Sequence, residues 1–455
     1  MTLNTIHEVT VTEVLARRAS ALRFEDLSPA ALTVAKQCLL DWLGVSIAGS
    51  DEPLVRLLLE ERTDAGLVGD ASIVGRRERL ALSAAVLVNG VMSHALDYDD
   101  VHKAMRGHPS VPVAPVVLGL GAHLHASGKE VLTAFVSGFE TECRVGALCA
   151  HDHYARGFHP TATIGTFGAA AAAGRLLGLD PASMAMALGI AGTQAAGLKS
   201  AFGTHCKPLH AGHAAEAGLL AARLAARGFT ANVDILGDAQ GFARTQSSGF
   251  DRAAAEADPP GGFHVTRTMF KYHAACFLAH SSIEALKALR DQYGVTPSDV
   301  HEVALHVQAA HLKICGITEP KTGLEVKFSM RMLAALVMAR VDTSNDKTYT
   351  DELAARSDLV TLRDKVVVVP DWSGEGSAAE VVLTLVSGQR YEMQYDVGVP
   401  MDDLERQWTL LEAKFRSLVA PRLGDECTGK LVAACRTAEQ MRDISTLLEL
   451  ARPKA

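Results

Sequence analysis

The sequence is short of the features on which most metal and cofactor chemistry rests. Its eight cysteines, Cys38, Cys143, Cys149, Cys206, Cys276, Cys315, Cys427 and Cys435, are scattered without a Cys-x-x-Cys pair. That spacing argues against a disulfide framework and against a sequence-local zinc or iron–sulfur site. There is no Walker loop, no Gly-x-Gly-x-x-Gly after a strand and no Gly-x-Ser-x-Gly elbow, so nucleotide, dinucleotide and serine-hydrolase chemistry lack their usual supports. Positive charge is not in excess either: 52 acidic against 44 basic residues give a formal net charge of −8, and no general attraction to nucleic acid or an anionic membrane is expected. Apolar stretches such as residues 111–121 are too short to cross a bilayer, and Arg175 ends the run that begins at Thr161. The first residues carry neither a basic nor an apolar leader region, so a cytoplasmic chain is expected.

What is present is an ordinary globular composition, 455 residues with 48% apolar and 21% charged, enough for two or three domains. Residues 5–230 are alanine-rich with helical spacing. Ser28-Pro29 opens one helix and Asp180-Pro181 another, the latter expected to run to about Leu198. Small residues dominate between Thr163 and Gly203, which predicts helices packed closely in a buried bundle. The texture changes at Pro259-Pro260-Gly261-Gly262, a turn-rich break. Beyond it Val303, Leu305 and Val307 alternate with polar neighbours, Val366 to Val369 form a β-branched run, and residues 380–385 and 390–395 face each other across Ser387-Gly388. Helical pattern returns at 279–293, 327–339 and 402–450. The expected fold is mainly α: a large all-helical domain over 1–262, a smaller α+β domain over 263–399, and helices over 400–455 that return to the first.

Histidine is the residue in surplus, 18 against 14 Phe and 7 Tyr, and it is the side chain best suited to moving protons near neutral pH. Eleven of the 18 fall between His94 and His213, in short constellations. The first, His94-Ala-Leu-Asp97-Tyr98-Asp99-Asp100-Val101-His102, leads to His108-Pro109-Ser110; its acids and imidazoles suit an acid/base site or, as a rival reading, a metal held by Asp97, Asp99, Asp100 and His102. His159-Pro160-Thr161 stands before a small-residue helix, where His159 and Thr161 are placed to hold a carboxylate. Lys207 lies between Cys206 and Pro208, a setting that favours a desolvated lysine. His210 and His213 follow at the spacing of one helix face. The pair His151-x-His153 reads as surface loop. Lys271 to His280 opens the second domain, and a pocket between the domains is expected there.

At these residues the sequence resembles the MmgE/PrpD family of 2-methylcitrate dehydratases, cis-aconitate decarboxylases and iminodisuccinate epimerases. The similar pieces are Leu39 to Gly44, Leu96 to Asp100, His108 to Ser110, His159 to Thr161, Ser200 to Lys207, Lys271 to His280 and Lys327 to Ser329, in that order. The resemblance implies a helical domain made from both chain ends, an α+β lid, a homodimer, a polycarboxylate substrate, a site in the cleft between domains, and no metal or organic cofactor. It carries the catalytic roles to Asp97, His108, His159, Lys207 and His280, with Thr161, Lys271 and Tyr98 as substrate-binding candidates. Val101 stands where decarboxylases carry Thr, and Met332 or a neighbour where they carry Tyr. The loss of two hydroxyl donors makes cis-aconitate decarboxylation the least favoured reaction; together with the imidazole-rich site it makes an epimerase of an iminodisuccinate-like substrate the first expectation and a 2-methylcitrate-type hydro-lyase the second.

Overall fold

The computed structural model describes residues 9–149, 152–374 and 376–453. Its helices begin where the capping signals stand. The Ser28 side chain accepts from Ala31 N–H at the start of Pro29–Gly49, and Asp180 accepts from Ser183 N–H at the start of Pro181–Gly192, each satisfying an N–H that has no partner within the helix. The second helix stops at Gly192, with Thr193 as its C-cap, rather than near Leu198; Gly197, at φ +152°, lies in the non-helical stretch that follows.

Two compact units result: the chain up to Phe270 together with Asp403 onward, and Lys271–Asp402. The first boundary lies beyond the Pro-Pro-Gly-Gly turn, since Met269 still exchanges two backbone hydrogen bonds with Val101, at 2.8 and 3.0 Å. The second falls at Asp403, whose side chain caps Leu404–Leu423 by accepting from Arg406 N–H.

Among its described residues the first unit is helical, apart from a short antiparallel pair. Its main helices are α1 (Val11–Ala21), α2 (Pro29–Gly49), α3 (Leu82–His94), α4 (Ser110–Leu124), α5 (Gly128–Leu148), α6 (Gly165–Leu176), α7 (Pro181–Gly192) and α8 (Cys206–Ala225). Glycine sets the close approaches. A Cβ on Gly90 of α3 would come within 2.7 Å of Gly212 Cα on α8, and one on Gly218 within 2.4 Å of Ala169 Cβ on α6. The small residues therefore do what their clustering predicts. By length and composition α2 is the one helix among the described residues apolar enough to span a bilayer, but most of it is buried inside the fold. It also carries Asp41, whose carboxylate meets Lys414 Nζ of the returning helix Leu404–Leu423 at 2.6 Å.

The second unit packs helices His280–Tyr293 and Met330–Met338 with a four-stranded sheet. Its strand order is Val366–Val369, Val300–His306, Ala379–Leu385, Arg390–Tyr395, parallel in the first pairing and antiparallel in the other two. Both the α+β character and the hairpin match the expectation from the alternating patterns. The helix expected from Lys327 begins at Met330, where the Ser329 side chain caps it by accepting from Met332 N–H.

Candidate active site

The loop that joins α3 to α4 builds the centre of the site. His94 closes α3, and the chain then turns through Asp97 at φ +51°, a left-handed conformation that aspartate tolerates better than most side chains. Arg106 repeats it at φ +51°, and His102 N–H donates to Gly107 O at 3.0 Å, folding residues 102–107 back on themselves. Gly107 lies against Thr161: a Cβ there would stand 2.9 Å from Thr161 N. Thr161 Oγ1 in turn accepts from His108 N–H at 3.1 Å. Thr161 is fully buried, so its hydroxyl positions the His108 loop instead of facing a substrate.

Asp99 is the pivot of the cluster. His94 Nδ1–H donates to its two oxygens at 3.0 and 3.1 Å. His108 Nδ1 approaches Oδ2 at 2.8 Å, a charge contact set off the line of a hydrogen bond. Burial alone would push the Asp99 carboxyl up, yet His108 and His94 together hold it well below the usual carboxylate range. Burial lowers His94 to about 4 against the pull of Asp99. Neutral, with its Nδ1 proton on Asp99, His94 has a bare lone pair on Nε2, which is buried and without a hydrogen-bond partner. The His94 ring stands 4.6 Å from His108 and stacks 5.8 Å from His159, centroid to centroid.

Lys207 arrives from the first turn of α8, where Pro208 is tolerated because early helical N–H groups need no partner. Its Nζ sits 2.9 Å from Asp97 Oδ1, and His108 Nε2 lies 3.6 Å from the same oxygen. The lysine is thus held by a carboxylate rather than standing alone in apolar surroundings. His159 shares a proton with His210 across Nδ1 atoms 3.0 Å apart. Burial, followed by the charges of His94, Lys207, His108 and His210, keeps His159 well below the usual histidine range. Within this cluster Asp97, His108 and Lys207 keep exposed side-chain surface, at 31%, 13% and 15%; His94, Asp99 and His159 form a buried floor beneath them.

Five of the residues picked out by the sequence therefore converge in the first unit: Asp97, His108, His159, Thr161 and Lys207. Tyr98 does not join them. It is fully buried, its carbonyl accepts from Lys414 Nζ at 2.7 Å, and that Nζ also sits 3.8 Å above its ring. Lys271 and His280 belong to the second unit, where both are buried and His280 Nε2–H donates to Ala275 O at 3.1 Å.

The rival metal set does not assemble. Asp100 accepts from Ser110 N–H and O–H at 3.2 and 2.5 Å at the start of α4, while burial, followed by the charges of Asp41 and Asp99, raises it to about 7. His102 is turned away to His264 O. The four residues that do approach one another are His94, Asp97, Asp99 and His108, with ligating atoms within 4.8 Å, and Lys207 already places a cation on their edge. His210 and His213 diverge, the first to His159 and the second to solvent. His151 lies outside the described residues. His153 is no surface residue: it is buried, stacks on Phe158 at 4.7 Å and pairs with Gln246 O and Thr163 Oγ1. His94 and Asp99 stand together in the first constellation of the sequence, which assigns neither of them a role at the site. The signal was the spacing of His94, Asp97 and Asp99 at a helix end.

Three imidazoles, a lysine and two carboxylates within one cluster define an acid–base site suited to an anionic substrate. Residues 13–254 match the MmgE/PrpD N-terminal domain and residues 273–437 the MmgE/PrpD C-terminal domain; the chain belongs to the MmgE/PrpD family. It is similar to the cis-aconitate decarboxylase of Aspergillus terreus, 27% identical over 97% of this chain and 95% of that one. The same-named enzyme of Aspergillus terreus strain NIH 2624 / FGSC A1156 is 30% identical over 73% of this chain and 72% of its own. That of Mus musculus is 28% identical over 97% and 93%.

Proposed function

We propose that this chain is a lyase that acts on a polycarboxylate without a cofactor, and that its reaction is decarboxylation of an unsaturated tricarboxylate of the cis-aconitate type. The carrying observation is the cluster of Lys207 and His108 around Asp97, floored by the His94–Asp99 pair. The relatives named above are decarboxylases, so lyase chemistry displaces the epimerase expectation.

The chemistry suits the groups. Only one carboxylate of cis-aconitate stands on a saturated carbon, and that carbon is allylic. When this carboxylate leaves as CO2, the electron pair of the broken C–C bond shifts the double bond and places charge on the carbon beside a remaining carboxylate. That carbon then takes one proton. Lys207 supplies positive charge for the carboxylates, and His108, backed by Asp99, is the proton donor within reach of the open side. By the family resemblance Lys271 and His280 also take part, which substitution of each tests separately.

A hydro-lyase is the second reading, favoured by Val101 and by Met332, which is fully buried on its helix; neither offers a hydroxyl. Incubation with cis-aconitate and with 2-methylcitrate in deuterated water, followed by NMR, decides. CO2 release with one deuterium in the product supports decarboxylation. An unsaturated acid formed from 2-methylcitrate without CO2 supports the hydro-lyase, and a parallel incubation with an iminodisuccinate-type amino-polycarboxylate that returns substrate carrying deuterium at an inverted centre would restore the epimerase.

A further inference from the structure

Behind the active-site loop lies a second cluster that the proposed reaction does not use. His102 comes from the loop, Cys143 from the middle of α5, and His264 from the 3-10 turn His264–Arg267. One ligating atom from each lies within 4.8 Å of the other two, and all three side chains are buried. We propose that His102 Nδ1, Cys143 Sγ and His264 Nε2 form a binding site for a borderline-soft divalent cation of the zinc class, with water in the fourth position.

Three observations carry it. First, the tautomer of His102 is fixed: Nε2–H donates to His264 O at 3.0 Å, which leaves Nδ1 as a lone pair. A carbonyl behind a ligating imidazole is the arrangement that orients metal-bound histidines. Second, Cys143 Sγ stands 3.4 Å from that Nδ1, close to the separation of two ligands on one tetrahedral zinc, given bonds of about 2.3 and 2.0 Å. Third, His264 Nε2 is buried and has no hydrogen-bond partner, although the residue is only 8% exposed. A polar atom left unpaired in a core calls for a partner.

Burial also keeps both imidazoles in the neutral, ligating form, lowering His102 to about 4 and His264 to about 3. Ala104 N–H donates to His102 Nδ1 at 3.1 Å and competes for the lone pair, which sets a limit on affinity. On binding, the Cys143 S–H bond breaks, the S–metal bond forms, and the proton leaves to solvent. The ion would tie the loop that carries Asp97, Asp99 and His108 to α5. It takes no part in the reaction itself.

Titration of the chelator-treated full chain with Co2+ tests the site. The expected result is one equivalent bound with a thiolate-to-Co2+ charge-transfer band, bleached by Zn2+. Cys143→Ala should abolish the band. His264→Gln, should the cysteine variant not fold, should weaken Zn2+ binding by roughly tenfold or more. Binding without a thiolate band would place the ion on the nitrogen and oxygen atoms of the catalytic cluster, and would overturn the proposal. So would a band that survives Cys143→Ala, or no binding at all.

Discussion

Lys207 Nζ lies 2.9 Å from Asp97 Oδ1, so the lysine of the open cluster is held by a residue in a left-handed turn. The pair does two jobs: it fixes the ammonium beside His108, and it keeps a charge available for an incoming carboxylate. Lys207→Ala should lower kcat by about 10²–10⁴-fold, the range in which a positioned charged or proton-moving group acts. Asp97→Asn should leave Lys207 in place but loosely held, and so raise KM more than it lowers kcat. Steady-state kinetics on the substrate identified above measures both, and unchanged turnover in Lys207→Ala would remove this lysine from the mechanism.

Asp99→Asn tests the floor of the site. The amide keeps the size of the carboxylate but loses the charge that holds the His94 proton and faces His108. A fall in kcat of about 10²-fold or more is expected, with little change in KM because Asp99 is buried out of reach of a ligand. Wild-type kcat in the Asp99→Asn enzyme would show that Asp99 is only a packing residue.

Much of this is legible in the sequence, and the reason is local. Ser28-Pro29, Asp180-Pro181 and the Ser387-Gly388 turn act through their own neighbours, so the two helices start, and the hairpin turns, where the spacing places them. His108-Pro109 and His159-Pro160 are readable for the same reason, each a stiff step into a helix. Tyr98 and Thr161 defeat a sequence reading because their surroundings come from afar: Lys414 lies 316 residues from Tyr98, and His108 is 53 from Thr161. The break at Pro259 falls short of the true boundary because the Met269–Val101 pairing crosses the fold and leaves no mark on composition. His94 stands in the first constellation but gets no role of its own, because a histidine at the end of an apolar helix usually fills a core.

The crossing of α3 and α8 makes a stability prediction that bears on the site. Gly212 admits no side chain: a Cβ would lie 2.3 Å from Leu87 O and 2.6 Å from Val91 Cγ2. Gly212→Ala must therefore push α8 away from α3, at about 1–3 kcal/mol, the usual cost of overpacking a tight core. Urea unfolding should show a lower midpoint at unchanged slope. Because His94 ends α3 and Lys207 begins α8, kcat should fall too in the fraction that remains folded. An alanine that costs nothing would mean the helices adjust freely.

Glu142, on α5, gives a pH signature. It is fully buried, both carboxylate oxygens lack a hydrogen-bond partner, and a Cβ on Gly168 would come within 2.7 Å of Oε2. Burial, reinforced by the nearby charge of Asp100, raises it well above its ordinary value of 4.5. The folded chain keeps this proton where the unfolded chain releases it. Its stabilising effect is complete below the unfolded value and is lost as pH rises towards the folded one. Glu142→Gln has the same shape and cannot ionise, so its amide adds only a constant offset. Above about pH 5 the stability of wild type should therefore fall relative to the variant, at a slope of up to about 1.4 kcal/mol per pH unit, until the folded carboxyl itself ionises. Denaturant unfolding of both proteins across that range measures the difference directly. Two parallel stability curves would mean that Glu142 is ionised in the folded chain and would overturn this prediction.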